Sequence, residues 1–301
     1  MSMKICITGG SGFVGTRLSY ELVSLGHSVI NIDVFPPKQE IENVYFIPAD
    51  LTSGVVPPEV LECDAIVHLA GVNIFGRWTP EYKKRIFDSR ILSANAVISA
   101  CARSQKHPAV FVSASAIGYY GDSGERELTE DARLGTDFLS DVCMKWEDVA
   151  SSAETIGMRR VSIRTGIVLG PGGGMLAKLI PIFKWGIGGR LGSGKQWFSW
   201  IHIDDLIAVY IQAITNTALS GAVNAVAPEP VRNRDFTQAL ADVLGRPAFF
   251  MVPGFVLRMV LGELAGAILG SQKVIPAKLQ KIGFVWKYPT LRSALLSVIG
   301  K

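Results

Sequence analysis

Near the start of the chain, Thr8-Gly9-Gly10-Ser11-Gly12-Phe13-Val14-Gly15 follows a short apolar run from Lys4 to Ile7, and an aspartate stands at position 33. Glycines at this spacing suit one task. Gly9 can take the dihedrals of an immediate strand-to-helix turn, Gly12 has no Cβ to hold a pyrophosphate away, and Gly15 lets a helix pack closely on a sheet. The unpaired amides and positive dipole end of a helix opening at Phe13 and Val14 would stabilise phosphate oxygens without a lysine. Asp33 falls about 20 residues past the loop, where a carboxylate accepts hydrogen bonds from an adenosine ribose diol and repels a 2'-phosphate. The pattern predicts a dinucleotide, NAD ahead of NADP. Asp50 and Leu51 close the next strand-like run, from Val44 to Ala49, which places Asp50 to meet the adenine amino group.

The elements that must hold this loop alternate along the chain. A helix is expected from Phe13 to Leu25, stopped by Gly26, then a strand from His27 to Ile32. Ala65-Ile66-Val67-His68-Leu69-Ala70-Gly71 is a continuous apolar run suited to a parallel strand buried on both faces, and it brings the backbone of Leu69, Ala70 and Gly71 to the cofactor. Further helices are expected over residues 80–104 and 136–155, and further strands over 109–113 and 161–164. The alternation specifies an α/β fold, a Rossmann-type doubly wound parallel sheet with its ligand beyond the carboxyl ends of the strands. Ser113, ending one of those strands, joins the expected cofactor contacts. Past Gly170 the chain turns glycine-rich, with Pro171-Gly172-Gly173-Gly174 and the loop from Gly186 to Lys195. The expected division is a dinucleotide-binding domain over residues 1–170, rejoined by 203–222, and a smaller C-terminal substrate lobe over 171–301.

At 301 residues, 49% hydrophobic and net charge +4, the chain reads as globular, with lysines and arginines scattered rather than blocked. Nothing calls for a nucleic-acid partner. Cys6, Cys63, Cys101 and Cys143 are widely spaced within apolar patterns and read as reduced core thiols, with no metal site. Phe249 to Gly270 has the length of a membrane span, but Pro253, Arg258 and Glu263 fall inside it, so a buried or substrate-facing helix pair is expected instead. The first strand begins within a few residues of Met1, leaving no room for a signal peptide. A soluble cytoplasmic protein is expected.

The loop above, together with His68-Leu69-Ala70-Gly71, Ser115 ahead of Tyr119-Tyr120-Gly121, Arg164-Thr165-Gly166-Ile167-Val168-Leu169-Gly170-Pro171 and Trp200-Ile201-His202-Ile203-Asp204-Asp205-Leu206, resembles the extended short-chain dehydrogenases of the epimerase and dehydratase group. Gly76-Arg77-Trp78-Thr79, Ser89-Arg90, Lys145-Trp146-Glu147, the Gly186–Gly194 loop and Gly270-Ser271-Gln272-Lys273-Val274-Ile275-Pro276 resemble its atypical 39U type, the putative sugar-nucleotide epimerases. The resemblance spans nearly the whole chain. It implies a serine that orients the substrate oxygen, a tyrosine that gives or takes its proton, and a lysine four residues on that holds the nicotinamide ribose and lowers the tyrosine pKa.

Ser115 matches the first role, but the pair departs from the pattern. With Lys145 as the lysine, the tyrosine position holds Asp141; with Glu147 as the anchor instead, the register moves by two residues, to Leu139 and Cys143. Tyr119 and Tyr120 remain as donors from another direction, and Asp141 would serve only if burial raised its pKa by several units. A second departure puts Phe198 where relatives carry an arginine that clamps a diphosphate. Trp78, Trp197, Phe198 and Trp200 would then make an apolar substrate pocket, with Arg77, Arg190, Lys195 or Arg232 supplying an anion contact. His68 and His202 sit inside apolar strand patterns and read as core or supporting residues.

Two functions follow. One is an NAD(P)-dependent oxidoreductase or epimerase acting on a small carbonyl or hydroxyl compound, sugar-derived if the resemblance extends to the substrate, with Ser115 on the reacting oxygen, Lys145 on the ribose, and Tyr119, Tyr120 or Asp141 as proton donor. The alternative is a protein that has lost its chemistry and uses dinucleotide occupancy to regulate a partner. By analogy, the two long helices over 80–104 and 136–155 would pair two copies in a homodimer.

Overall fold

A computed structural model describes residues 2–300. Seven strands form one parallel sheet: β1 (Lys4–Thr8), β2 (Ser28–Asp33), β3 (Val44–Pro48), β4 (Ala65–His68), β5 (Val110–Ala116), β6 (Arg159–Thr165) and β7 (Gly221–Ala225). Their spatial order is β7-β6-β5-β4-β1-β2-β3. The order reverses between β1 and β4, so the loops leaving these two strands part and open a crevice at their carboxyl ends.

Side chains alternate across this sheet and feed a core on each face. Ile5 and Ile7 of β1 and Val110 and Val112 of β5 point one way, into a cluster completed by helices α1 (Phe13–Ser24) and α5 (Ile203–Thr215). Cys6 and Phe111 point the other way, with Val97, Ile98 and Cys101 of α2 (Pro80–Ala102) and Ala150 of α3 (Phe138–Ser151). Burial on both faces explains why these strands read as unbroken apolar runs. The four cysteines are free and buried.

A third cluster closes the C-terminal part. Leu176 and Phe183 of α4 (Leu176–Lys184) meet Phe198, Trp200, Phe236 and Leu240, the last two from α6 (Asn233–Leu244). The returning segment is longer than residues 203–222, because β7 runs to Ala225 as the edge partner of β6. The stretch from Phe249 to Gly270 is a short strand and two short helices, α7 (Gly254–Leu261) and α8 (Leu264–Leu269). Of the buried or substrate-facing helix pair expected here, α8 buries Leu264 and Ala265, whereas α7 has no buried residue. Among the described residues no helix is long and apolar enough to cross a membrane.

Candidate active site at the strand ends

The glycine loop leaves β1 at Gly9, whose φ of +73° is open to glycine and strained for other residues. A Cβ there would also stand 2.8 Å from the Ala70 nitrogen, so the chain leaving β4 can lie directly against the loop. Leu69 and Ala70 therefore lie beside the glycine loop. At Gly15 a Cβ would meet Gly10 Cα at 2.5 Å and the Gly9 carbonyl at 2.6 Å. Gly12 caps α1 without a side-chain acceptor, and the first turn contains no acidic residue. The first amides of α1, at Phe13 and Val14, thus face outward with no intrahelical acceptor, and an anionic pyrophosphate fits them. A cavity of about 740 Å³ opens here, with Gly12, Phe13 and Thr16 on one side and Pro171, His202 and Tyr288 on another.

The side chains around this loop do more structural work than their positions suggest. Phe13 turns its ring onto Gly170 and Gly173, so only its backbone serves the loop. Asp33 buttresses the turn: its carboxylate accepts from the Ser11 amide at 3.1 Å and the Phe35 amide at 3.2 Å. Asp50 is exposed and caps the short helix Leu51–Ser53 through Oδ1, accepting from the Thr52 amide at 2.9 Å and hydroxyl at 2.7 Å, while Leu51 is buried in the core. Ser113 is buried too and gives its hydroxyl to the Ala114 carbonyl.

At the end of β5, Ser115 Oγ donates to Glu147 Oε1 at 2.7 Å. Glu147 comes from α3 and is gripped by Arg164 of β6, whose Nε and Nη2 donate to its two oxygens at 2.8 and 2.9 Å. Both side chains are nearly buried, at 5% and 11% exposure. Burial works against the Arg164 charge, but the Glu147 carboxylate overcomes it and holds the guanidinium protonated beyond the usual range. Arg164 Nη1 also donates to the Tyr120 hydroxyl and the Glu130 carbonyl, both at 3.0 Å, and its guanidinium lies 3.5 Å from the Tyr119 ring centre. One bidentate fork thus fixes the carboxylate beside Ser115 and the face of Tyr119.

This arrangement corrects the expected catalytic set. Asp141 and Lys145 lie on the exposed side of α3, because the buried positions of that amphipathic helix are Val142, Cys143, Trp146 and Ala150. The sheet-facing position four residues after Cys143 is Glu147, so a carboxylate occupies the place where the motif spacing calls for a lysine, and a thiol precedes it. Burial, helped by Glu147, pushes the Cys143 thiol up to about 12. Tyr120 is no free donor either. It is buried, donates to Asn224 Oδ1 at 2.6 Å, and has its pKa pushed up to about 12 by burial. Tyr119 is half-buried.

The expected aromatic pocket also divides. Phe198 stacks on Phe236 with ring centres 4.3 Å apart, and Trp200 is 1% exposed, so both are core residues and not substrate walls. Trp197 is partly exposed, sandwiched between Arg232 at 3.7 Å and Lys273 at 4.9 Å, with its indole N–H on Glu125. Trp78 packs on Phe138 and donates to the Ile74 carbonyl, while Arg77 is exposed. His68 is wholly buried between the Thr8 and Ser93 hydroxyls, and His202 caps α5 by accepting from the Asp204 amide. Burial lowers the pKa of each to about 4, keeping both neutral. Among the described residues no cluster could hold a metal ion.

Comparison with known proteins matches this geometry. Residues 5–225 fit the model of the NAD dependent epimerase/dehydratase family, and residues 252–298 fit a domain of unknown function, DUF1731. The chain belongs to the NAD dependent epimerase/dehydratase family. It is of the extended short-chain dehydrogenase kind, 39U type. It is 40% identical over 306 residues to the chloroplastic epimerase family protein SDR39U1 homolog of Arabidopsis thaliana, covering 99% of this chain and 87% of that one. It is 36% identical over 299 residues to the epimerase family protein YfhF of Bacillus subtilis, covering 99% and 98%. The crystal structure of human epimerase family protein SDR39U1 with NADPH superposes with a TM-score of 0.88 at 33% identity, over 98% of this chain and 99% of that one.

Proposed function

We propose that the protein is an NAD(P)-dependent oxidoreductase or epimerase acting on a small carbonyl or hydroxyl compound, with Ser115 and Glu147 managing the proton. The observation that carries the reading is the 2.7 Å contact between Ser115 Oγ and Glu147 Oε1 at the carboxyl end of β5. The dinucleotide, when bound, supplies a hydride acceptor or donor at its nicotinamide. Ser115 orients the substrate oxygen. As a substrate hydroxyl becomes a carbonyl, its proton passes to Ser115 Oγ while the Ser115 proton passes to Glu147 Oε1, and Arg164 keeps the carboxylate in line. Reduction runs the same relay backwards. Tyr119, held against Arg164, forms a wall of the reacting site.

NAD is favoured over NADP, since Asp33 sets a carboxylate at the end of β2; the human relative solved with NADPH makes this a point for titration. Calorimetry with the four dinucleotides followed by NADH fluorescence over a panel of sugars and ketones tests both halves. Ser115→Ala and Glu147→Gln should retain dinucleotide binding and lower kcat by about 10²–10⁴. Cys143 in the tyrosine position keeps a sensor function as the rival: tight binding by the unaltered protein with no turnover on any compound would favour it.

A further inference from the structure

The C-terminal part carries an exposed apolar surface. The parallel pairing of Gly189–Leu191 with Phe250–Val252 lays two segments side by side. Just ahead of the first, Trp185 and Ile187 are 83% and 56% exposed; flanking the second, Phe249 and, on α7, Phe255, Met259 and Val260 are 91%, 70%, 77% and 68% exposed. α7 is built of apolar side chains and one arginine, yet buries none of them. Single exposed hydrophobes need no account, but a set this large around two paired segments marks an interaction surface.

Charge indicates what it meets. The sequence has no Asp or Glu between Glu154 and Asp204, and none between Asp242 and Glu263, while Lys184, Arg190, Arg246 and Arg258 lie in or beside the apolar segments. Glu263, the nearest carboxylate in sequence, is taken by Lys83 of α2. Residues 171–301 hold 14 Lys and Arg against 6 Asp and Glu, whereas residues 1–170 hold 16 against 20. The exposed apolar face therefore sits on the cationic part of a charge-divided chain. Aromatic and methionine side chains among cations, with the nearest carboxylate in sequence paired to a lysine, complement a surface that is apolar below and negative above. A second copy fits poorly, because pairing two such faces opposes like charges.

We propose that this face docks the protein on an anionic lipid surface, with Trp185, Phe255 and Met259 entering the acyl boundary and Lys184 and Arg258 at the level of the phosphates. The association is peripheral, since α7 has 8 residues.

Full-length protein would be sedimented with vesicles of phosphatidylcholine alone and of phosphatidylcholine mixed with phosphatidylglycerol, at low and high salt, and alone by equilibrium ultracentrifugation. Binding should be at least about tenfold tighter on the anionic vesicles, and weaker in high salt. Phe255→Ser with Met259→Ser should abolish it without changing dinucleotide affinity, and Lys184→Glu with Arg258→Glu should remove the preference for anionic lipid. Absence of binding, or equal binding to both vesicles, would overturn the proposal. So would a concentration-dependent dimer that the Phe255→Ser and Met259→Ser pair dissolves, which would give the face to a second copy.

Discussion

Arg164 serves Glu147, Tyr120, the Glu130 carbonyl and the Tyr119 ring at once, so its removal leaves a nearly buried carboxylate without its charge partner, held by the Ser115 hydroxyl alone. Breaking such a pair costs about 3–5 kcal/mol. Arg164→Met should therefore lower the melting temperature sharply, and adding Glu147→Leu should recover much of the loss; if the double variant melts no higher than the single one, the pair does not account for the penalty. His68 makes a pH prediction. Its folded pKa of about 4 lies below the ordinary imidazole value of 6.5, so the unfolded chain binds the proton more readily. The stability from burying it neutral is full above 6.5 and is lost as pH falls toward 4, on the order of 3 kcal/mol. Melting followed from pH 7 to 4 should show this fall, and His68→Asn should make it shallower. At this scale Ser115 was legible through the family resemblance, two residues past the strand expected over 109–113. Its partner was not: motif spacing points to Lys145, whereas the burial period of α3, through Cys143, Trp146 and Ala150, turns Glu147 inward. That period is itself in the sequence and would have found the carboxylate.

Among elements, the turn from β1 into α1 is the one whose geometry leaves least room for change. Gly15→Val would drive side-chain atoms into the Gly9 and Gly10 backbone, where a bare Cβ already stands at 2.5–2.7 Å. The loop must then shift off the helix N-terminus, so dinucleotide affinity should collapse in calorimetry while the far-UV spectrum stays helical. Gly9→Ala adds about 1–3 kcal/mol of backbone strain and should weaken both binding and stability. The alternating strands and helices were readable because burial on both faces leaves long apolar runs, and α1 and α2 begin where expected, at Phe13 and Pro80. The edge strand β7 was not legible as a strand, since Gly221-Ala222-Val223-Asn224-Ala225 has only one large apolar side chain. Phe198 and Trp200 read as pocket walls for a related reason: an aromatic next to a ligand and an aromatic in a core leave the same trace in sequence, and only the Phe198–Phe236 stack tells them apart.

Across the whole molecule, the C-terminal part is tied to the sheet where α5 begins. Asp205 is 2% exposed and accepts from the Lys287 and Tyr288 amides at 2.7 and 3.1 Å, and burial raises its pKa against those donors. Its neighbour Asp204, at 20% exposure, joins Arg17 of α1 to Lys287 from the outside. Tyr288 in turn lies 3.9 Å from the His202 ring, and both line the cavity that reaches Gly12. The chain that closes the fold thus also shapes the mouth of the dinucleotide site. Asp205→Ala should leave two amides unsatisfied at about 1–3 kcal/mol each and release Tyr288 from the cavity wall. Asp204→Ala removes only partly exposed ion pairs, worth about 1 kcal/mol or less apiece. Melting and dinucleotide titration on both variants should therefore show a large joint loss for Asp205→Ala and a small one for Asp204→Ala. Equal losses would mean that surface charge, rather than the buried backbone tie, holds this end of the chain over the site.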